Sequence, residues 1–232
     1  MPSMPPLSPS LSPPARTRIK ICGLTRSEDV DAAVAAGADA IGFVFYARSP
    51  RAVTPGQAAE LARRLPPFVT PVGLFVNAPP AEIADACERI PTLLLQFHGD
   101  ETADQCDAAG RPYLRAARVA PGFDLLNFAR SFPAAQALLL DAHVEGYGGG
   151  GKVFDWSLIP ADAPAPVVLS GGLNPANVTD GIARVRPCAV DVSSGVEVAK
   201  GIKDAVLMRR FCEAVRVADA RLAAATPAGP AA

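Results

Sequence analysis

The sequence predicts a single-domain α/β protein folded as a (β/α)8 TIM barrel, and three observations carry that expectation. The chain repeats one theme at intervals of roughly 20 to 30 residues: a short apolar run, a polar or glycine-bearing turn, then an alanine-rich amphipathic stretch. The apolar runs lack polar alternation, which is the pattern of parallel strands covered by helices. The 232 residues are 50% hydrophobic, enough for one sizeable core and close to the roughly 250 residues usual for eight βα units. An open doubly wound sheet would more often carry about five to seven strands and a single switch point.

Each unit can be read in order. The first strand, Ile19 to Cys22, ends at Gly23, where the chain can turn, and Thr25 is placed to cap a helix over 26–36 with Glu28 as its capping-box partner. Strands at Ala40–Phe45, Val72–Val76 and Leu93–Phe97 follow, with helices expected over 55–65, 79–89 and 101–109. The fifth strand, Tyr113–Val119, is the most polar and precedes a helix over 123–130. The sixth, Ala137–Asp141, precedes only a short helix over 155–159. The seventh, Val167–Ser170, leads through Gly171-Gly172 to Asn174 and Pro175, residues suited to start a helix over 175–185. Strand eight, Ala189–Val192, is followed by a terminal helix over 204–222.

The ends differ from this barrel. Residues 1–15 hold six prolines and four serines without a basic or continuous apolar stretch, so residues 1–16 read as a disordered Pro/Ser-rich extension and not as a signal peptide. Residues 17–222 form the expected barrel, and the low-complexity stretch 223–232 reads as a disordered tail.

Composition narrows the function. A net charge of −1 with scattered lysines and arginines leaves no footprint for nucleic acid, and no apolar run is long enough to span a membrane. Five cysteines, Cys22, Cys87, Cys106, Cys188 and Cys212, have neither disulfide-framework nor metal-ligand spacing, which points to a reducing cytoplasm and no structural zinc.

Active sites of this fold lie where the strands end at their C-terminal side. Those positions are Cys22, Arg48 to Arg51, Asn77, His98, Arg118, Asp141, Gly171 with Gly172, and Ser193 to Gly195. Cys22 is either a reactive thiol or a small buried hydrophobe. Asp141 closes a strand of Ala and Leu, where a carboxylate is costly to bury unless it is functional, paired or capping. A thiol and a carboxyl facing one mouth can divide proton removal and proton delivery. Lys20 shares the strand parity of Cys22; an ion pair with Asp191 or Asp141 is preferred over a Schiff-base role. His98 is a ligand-facing group or a loop residue, and His143 reads as solvent-facing. The glycine pair Gly171-Gly172 with the helix start behind it, beside Asp191, Ser193, Ser194 and Gly195, matches a phosphate site after strands seven and eight, although a tight turn also explains a lone Gly-Gly. The run Gly146 to Lys152 lacks Walker spacing and reads as a loop from which Lys152 could reach a ligand.

Nine collinear motifs add a family resemblance: Lys20-Ile-Cys-Gly-Leu-Thr25, Gly42-Phe-Val-Phe45, Ser49-Pro-Arg51, Gly73-Leu-Phe-Val-Asn77, Gln96-Phe-His-Gly-Asp100, Leu139-Leu-Asp141, Gly151-Lys-Val-Phe-Asp-Trp156, Ser170-Gly-Gly-Leu-Asn174 and Asp191-Val-Ser-Ser-Gly-Val-Glu197. From about residue 18 to 218 the chain resembles phosphoribosylanthranilate isomerase. The resemblance implies the cofactor-free Amadori rearrangement of N-(5-phosphoribosyl)anthranilate to 1-(2-carboxyphenylamino)-1-deoxyribulose 5-phosphate in tryptophan biosynthesis, by a soluble monomer or homodimer. It assigns Cys22 as general base, Asp141 as general acid, Arg51 to the anthranilate carboxylate, and the segments around Gly172 and Ser194-Gly195 to the phosphate. Gly150 stands where the family usually has Thr or Ser, and Val153 replaces a common Thr. Three rival activities call for other residues. A sister phosphosugar barrel would use two aspartates or more lysine and glutamate at the mouth. A cysteine-nucleophile hydrolase would want a histidine beside Cys22, and a catalytically silent barrel would have lost Cys22 or Asp141.

Overall fold

Eight parallel strands close into a barrel in sequence order, β1 (Arg18–Cys22), β2 (Ala40–Phe45), β3 (Thr70–Phe75), β4 (Leu94–Phe97), β5 (Tyr113–Val119), β6 (Ala137–Ala142), β7 (Val167–Leu169) and β8 (Ala189–Val192), with β8 pairing back onto β1. The computed structural model describes residues 16–142, 155–160, 163 and 165–225. The expected single (β/α)8 barrel is therefore observed. Its outer layer comprises α1 (Ser27–Ala36), α2 (Pro55–Ala62), α3 (Pro80–Arg89), α4 (Ala103–Asp107), α5 (Leu125–Ser131), α6 (Val178–Val185) and the long α7 (Ala205–Ala225), which packs on α1 and α6. A short antiparallel pair, β9 (Glu197–Ala199) with β10 (Ile202–Lys203), follows β8; the sequence reading placed no strands there.

Strand parity separates the two faces of the barrel wall. Phe43, Phe75, Phe97 and Ile21 lie in the core between wall and helices. Val72, Leu114, Ala116, Ala137, Leu139 and Val168 form a separate cluster inside the barrel. Residues in step with that inner set include Lys20, Cys22, Gln96, Asp141 and Asp191, because register pairs Lys20 with Asp191, Gln96 with Leu114 and Leu139 with Val168. The interior is thus apolar through its middle, and polar groups collect where the strands end.

Helix starts show where local chemistry prevailed. Thr54 and Thr102 each form a complete capping box with Gln57 and Gln105, and Pro55 occupies the first helical turn of α2. Thr25 does not cap α1: its hydroxyl donates to the Gly201 carbonyl at 2.7 Å, and Arg26, extended at φ −131°, takes the N-cap without a side-chain bond. The tertiary acceptor outcompetes the local N–H donors that a cap would satisfy. Nor does Asn174 open α6. Its side chain accepts from the Ala176 N–H while Asn177 Oδ1 accepts from the Asn174 N–H, and this local turn delays the helix to Val178. The expected sixth helix is a single 3₁₀ turn, Trp156–Leu158, capped by Asp155, and α4 is only five residues long. At the ends, α7 continues through Ala225 and Arg16 is ion-paired with Asp39, so the described barrel reaches into the terminal segments, three residues past the expected 222 and one before 17. The remainder of those segments, 1–15 and 226–232, lies outside the described residues.

Candidate active site

The end of β1 carries the first group of functional side chains. Cys22 is buried, and Gly42 on β2 makes room for it: a Cβ there would lie 2.7 Å from the Cys22 sulfur. Two residues earlier, Lys20 Nζ lies 2.7 Å from Asp191 Oδ1 on β8, with both side chains buried, so Lys20 forms an ion pair and, of the two partners left open by the sequence, Asp191 is the one taken. Ser170, closing β7, donates to the other oxygen of Asp191 at 3.3 Å. Burial pushes the Cys22 thiol above its ordinary value, and the Lys20 ammonium opposes that rise. Burial also works against the Lys20 ammonium, but Asp191 and Cys22 outweigh it and hold its pKa above the ordinary value.

Across the barrel, Asp141 closes β6. Its Oδ1 accepts the Ala142 N–H at 2.9 Å, and its Oδ2 lies 3.3 Å from Nε2 of His98, which follows β4. Gln96 Nε2 lies 3.1 Å from His98 Nδ1. If the amide donates there, the ring proton resides on Nε2 and faces Asp141. The pair is close but misaligned: His98 Nε2 makes no hydrogen bond among the described residues, and neither does Gln96 Oε1. His98, in the loop after β4, is buried and stands beside Asp141. Buried polar atoms without partners are uncommon, and one of these two, His98 Nε2, lies beside a strand-end carboxylate. The loop carrying His98 is fixed by Arg115, whose guanidinium donates to the carbonyls of Phe97, Gly99 and Glu101 while stacked against Phe128 and Phe132.

Two glycine-bearing loops adjoin these groups. Gly171 and Gly172 both adopt positive φ, 81° and 66°. A Cβ on Gly171 would approach Asp141 Oδ1 to 2.8 Å, so the acid and this loop fit only with glycine between them. Asn177 Nδ2 donates to the Gly172 carbonyl at 3.0 Å. Gly195, in the 3₁₀ turn Ser194–Val196 after β8, packs so tightly on the β7 loop that a Cβ would sit 1.9 Å from the Leu173 carbonyl oxygen. The β7 and β8 loops are thus brought into contact, as a shared anion site requires. The N–H groups of Gly172, Leu173, Ser194 and Gly195 donate to no acceptor among the described residues.

Arg51, in the loop after β2, lies against Gly23, where a Cβ would meet its Cδ at 2.5 Å. Its Nε and Nη2 bond both oxygens of Glu197, each at 2.8 Å. Lys203 Nζ reaches the same Glu197 at 2.8 Å and the Ser193 carbonyl at 3.0 Å, and Ser193 Oγ donates to the Cys22 carbonyl at 3.0 Å. Glu197 and Lys203 escaped the sequence reading as individual residues. Glu197 closes the Asp191-Val-Ser-Ser-Gly-Val-Glu197 motif, but Lys203 sits in a two-residue strand that no local pattern announces. His143, Gly150, Lys152 and Val153, with the glycine run between Gly146 and Lys152, lie outside the described residues. Among the described residues no group of three or more His, Cys, Asp or Glu side chains could hold a metal ion, and no helix is long and apolar enough to cross a membrane.

Comparison with known proteins follows the same line as the geometry. The sequence profile of N-(5′-phosphoribosyl)anthranilate (PRA) isomerase matches residues 19–214. N-(5′-phosphoribosyl)anthranilate isomerase of Leptothrix cholodnii is 81% identical over 208 residues, spanning 90% of this chain and 94% of the relative. A crystal structure of phosphoribosyl anthranilate isomerase in complex with reduced 1-(o-carboxyphenylamino)-1-deoxyribulose 5-phosphate superposes with a TM-score of 0.75 at 38% identity, covering 87% of this chain and 99% of that one. Monomers generated from the dimeric isomerase of Thermotoga maritima superpose with a TM-score of 0.76 at 38% identity, with the same coverage.

Proposed function

Since the chain belongs to the phosphoribosylanthranilate isomerase family, an enzyme family of tryptophan biosynthesis, we propose how its own residues carry out the rearrangement of N-(5-phosphoribosyl)anthranilate. Asp141 acts as general acid and protonates the furanose ring oxygen; the C1′–O bond breaks and the anthranilate nitrogen lone pair forms the C1′=N iminium. Cys22, as thiolate, removes the C2′ proton, and the C2′–H electron pair moves to give the enolamine. Tautomerisation places a ketone at C2′ and a proton at C1′, yielding 1-(2-carboxyphenylamino)-1-deoxyribulose 5-phosphate. The observation that carries this reading is the division of the strand ends into two groups across one barrel interior: Cys22 beside the buried Lys20–Asp191 pair, and Asp141 beside His98. A base needs a cation near its anionic form and an acid needs a partner for its conjugate base, and each has one.

The rest of the site fits the two ends of such a substrate. The contacting loops at Gly171–Gly172 and Ser194–Gly195 offer backbone donors to a phosphate dianion, with Ser193 and Asp191 fixing the β8 end behind them. The planar guanidinium of Arg51 suits the anthranilate carboxylate. His98 Nε2, 3.3 Å from Asp141 Oδ2 and without a hydrogen bond among the described residues, supplies a donor beside the acid. Neither metal nor cofactor takes part in this scheme.

A homodimer is the assembly we favour over a monomer. Phe68 is 99% exposed and holds a positive φ of 72°, a conformation costly for a bulky side chain, at the rim of a cavity of about 540 Å³ below the barrel that Val72, Leu94, Leu114 and Val168 help to line. A second copy covering Phe68 would remove that apolar surface from water. The function itself is tested by mixing the protein with freshly prepared phosphoribosylanthranilate and following the loss of its fluorescence. Decay at the spontaneous rate, with no isomerised product, would overturn the assignment.

A further inference from the structure

Arg51, Glu197 and Lys203 form a buried cluster that the reaction scheme does not use in full. Their side chains are 9%, 5% and 0% exposed. Two cations surround one carboxylate, leaving one positive charge unmatched. Of the neighbouring acids, Asp29, which receives the Lys203 backbone N–H, is paired with Arg26, Asp191 is paired with Lys20, and the Cys22 thiol, which these cations also face, is held toward its neutral form by burial. A surplus charge in so closed a place is expensive unless an anion arrives to match it.

The geometry also divides the guanidinium. Glu197 takes its Nε and Nη2 donors in a two-point contact, so the plane of Arg51 is set by Glu197 and the Nη1 side of the fork is left for a second carboxylate. Lys203 in turn fixes Glu197, and it ties Glu197 to Ser193, which is bonded to the carbonyl of Cys22. The cluster therefore holds Arg51 in register with the strand that carries the proposed base.

We propose that Glu197 and Lys203 are positioning residues for substrate selection: they orient Arg51 and maintain one unmatched positive charge, so that the enzyme favours substrates bearing a carboxylate ortho to the arylamine nitrogen. This rests on the reading of Arg51 as the carboxylate-binding group. Neither residue touches the substrate; both act through Arg51.

The experiment compares two stable ligands: the reduced product analogue that carries the carboxylate, and its phenylamino counterpart that lacks it. Dissociation constants are measured for the parent protein, Glu197→Gln, Arg51→Met and the double variant. Glu197→Gln is expected to weaken the carboxylated ligand about tenfold or more while changing the other by less than about twofold. In the Arg51→Met background the same substitution should have no further effect on either ligand. Because Glu197→Gln strands two buried cations and can impair folding, Glu197→Gln with Lys203→Met, which leaves the charge balance of the cluster unchanged, is measured alongside and should lose the same preference. Equal weakening of both ligands, or an effect that persists without Arg51, would overturn the proposal. If instead Arg51→Met leaves the preference for the carboxylated ligand intact, the assignment of Arg51 itself fails, an outcome distinct from failure of the Glu197 role.

Discussion

Replacing Gly195 by alanine tests the anion site most directly, because the strain falls between the two loops and not on backbone conformation; Gly195 is absent from the positive-φ glycines. The added Cβ would lie 1.9 Å from the Leu173 carbonyl oxygen, 2.9 Å from its carbon and 3.0 Å from the Asn174 Cβ. Ordinary carbon–oxygen contacts begin near about 3.3 Å, so the β7 and β8 loops must part by more than about 1 Å. The obstacle is backbone and cannot rotate away, so an overpacking cost of about 1–3 kcal/mol is expected. At about 2–4 °C per kcal/mol for a protein of this size, the melting temperature should fall by several degrees. Loops separated by that distance cannot both donate to one phosphate. Loss of even one charge-assisted hydrogen bond, about 1.5–3 kcal/mol, raises KM by roughly ten- to a hundredfold. The assay is steady-state fluorescence at several substrate concentrations, with inorganic phosphate as a weak competitor of the parent and not of the variant. Gly56→Ala, whose Cβ would meet only the Thr54 hydroxyl at 3.9 Å, is the control and should leave KM unchanged. If Gly195→Ala lowers the melting temperature but leaves KM and phosphate competition at parental values, the phosphate does not bind between these loops.

Four further outcomes follow from the same structure. Cys22→Ser keeps the fit against Gly42 but removes an ionisable thiol, so kcat should drop by about a hundredfold or more; near-parental turnover would remove Cys22 from the mechanism. Asp141→Asn retains shape and loses the transferable proton, so binding of the reduced product analogue should persist while kcat falls by about a hundredfold, and an unchanged kcat would leave Asp141 a structural residue. Lys20→Met removes the cation that opposes burial of Cys22, raising the thiol further; because the base works deprotonated, the rising limb of kcat/KM should move to higher pH, and a limb that stays in place would contradict the coupling. Phe68→Ser should convert a dimer to a monomer in sedimentation without loss of the barrel fold, whereas a parent that already sediments as a monomer would refute the assembly.

How much of this was legible in the chain depends on the range of the interaction. Covered parallel strands need continuous apolar runs, and eight such runs with glycine or polar residues at their ends specified both the barrel and the face on which chemistry collects. Cys22, Asp141, His98 and the Gly171–Gly172 and Ser193–Gly195 segments were all found as strand ends for that reason. An ion pair for Lys20 followed from parity, which is a local property of a strand, but the choice of Asp191 over Asp141 came only with barrel closure. The errors were equally local in origin. Thr25 and Asn174 carry the side chains of helix caps, but one bonds to a carbonyl 176 residues away and the other closes its own turn.

Only tertiary structure decided what depends on two loops meeting. That Gly195 must be glycine follows from the Leu173 carbonyl, not from any turn it makes itself. That Arg51 is gripped by Glu197, 146 residues away, and that Lys203 completes the cluster, depends on a small hairpin with no periodic signature. Hydrophobic periodicity is written along the chain because each element must bury a face of its own. Charge pairing between loop ends is not, because those partners become neighbours only when the barrel closes and brings all eight strand ends to one rim.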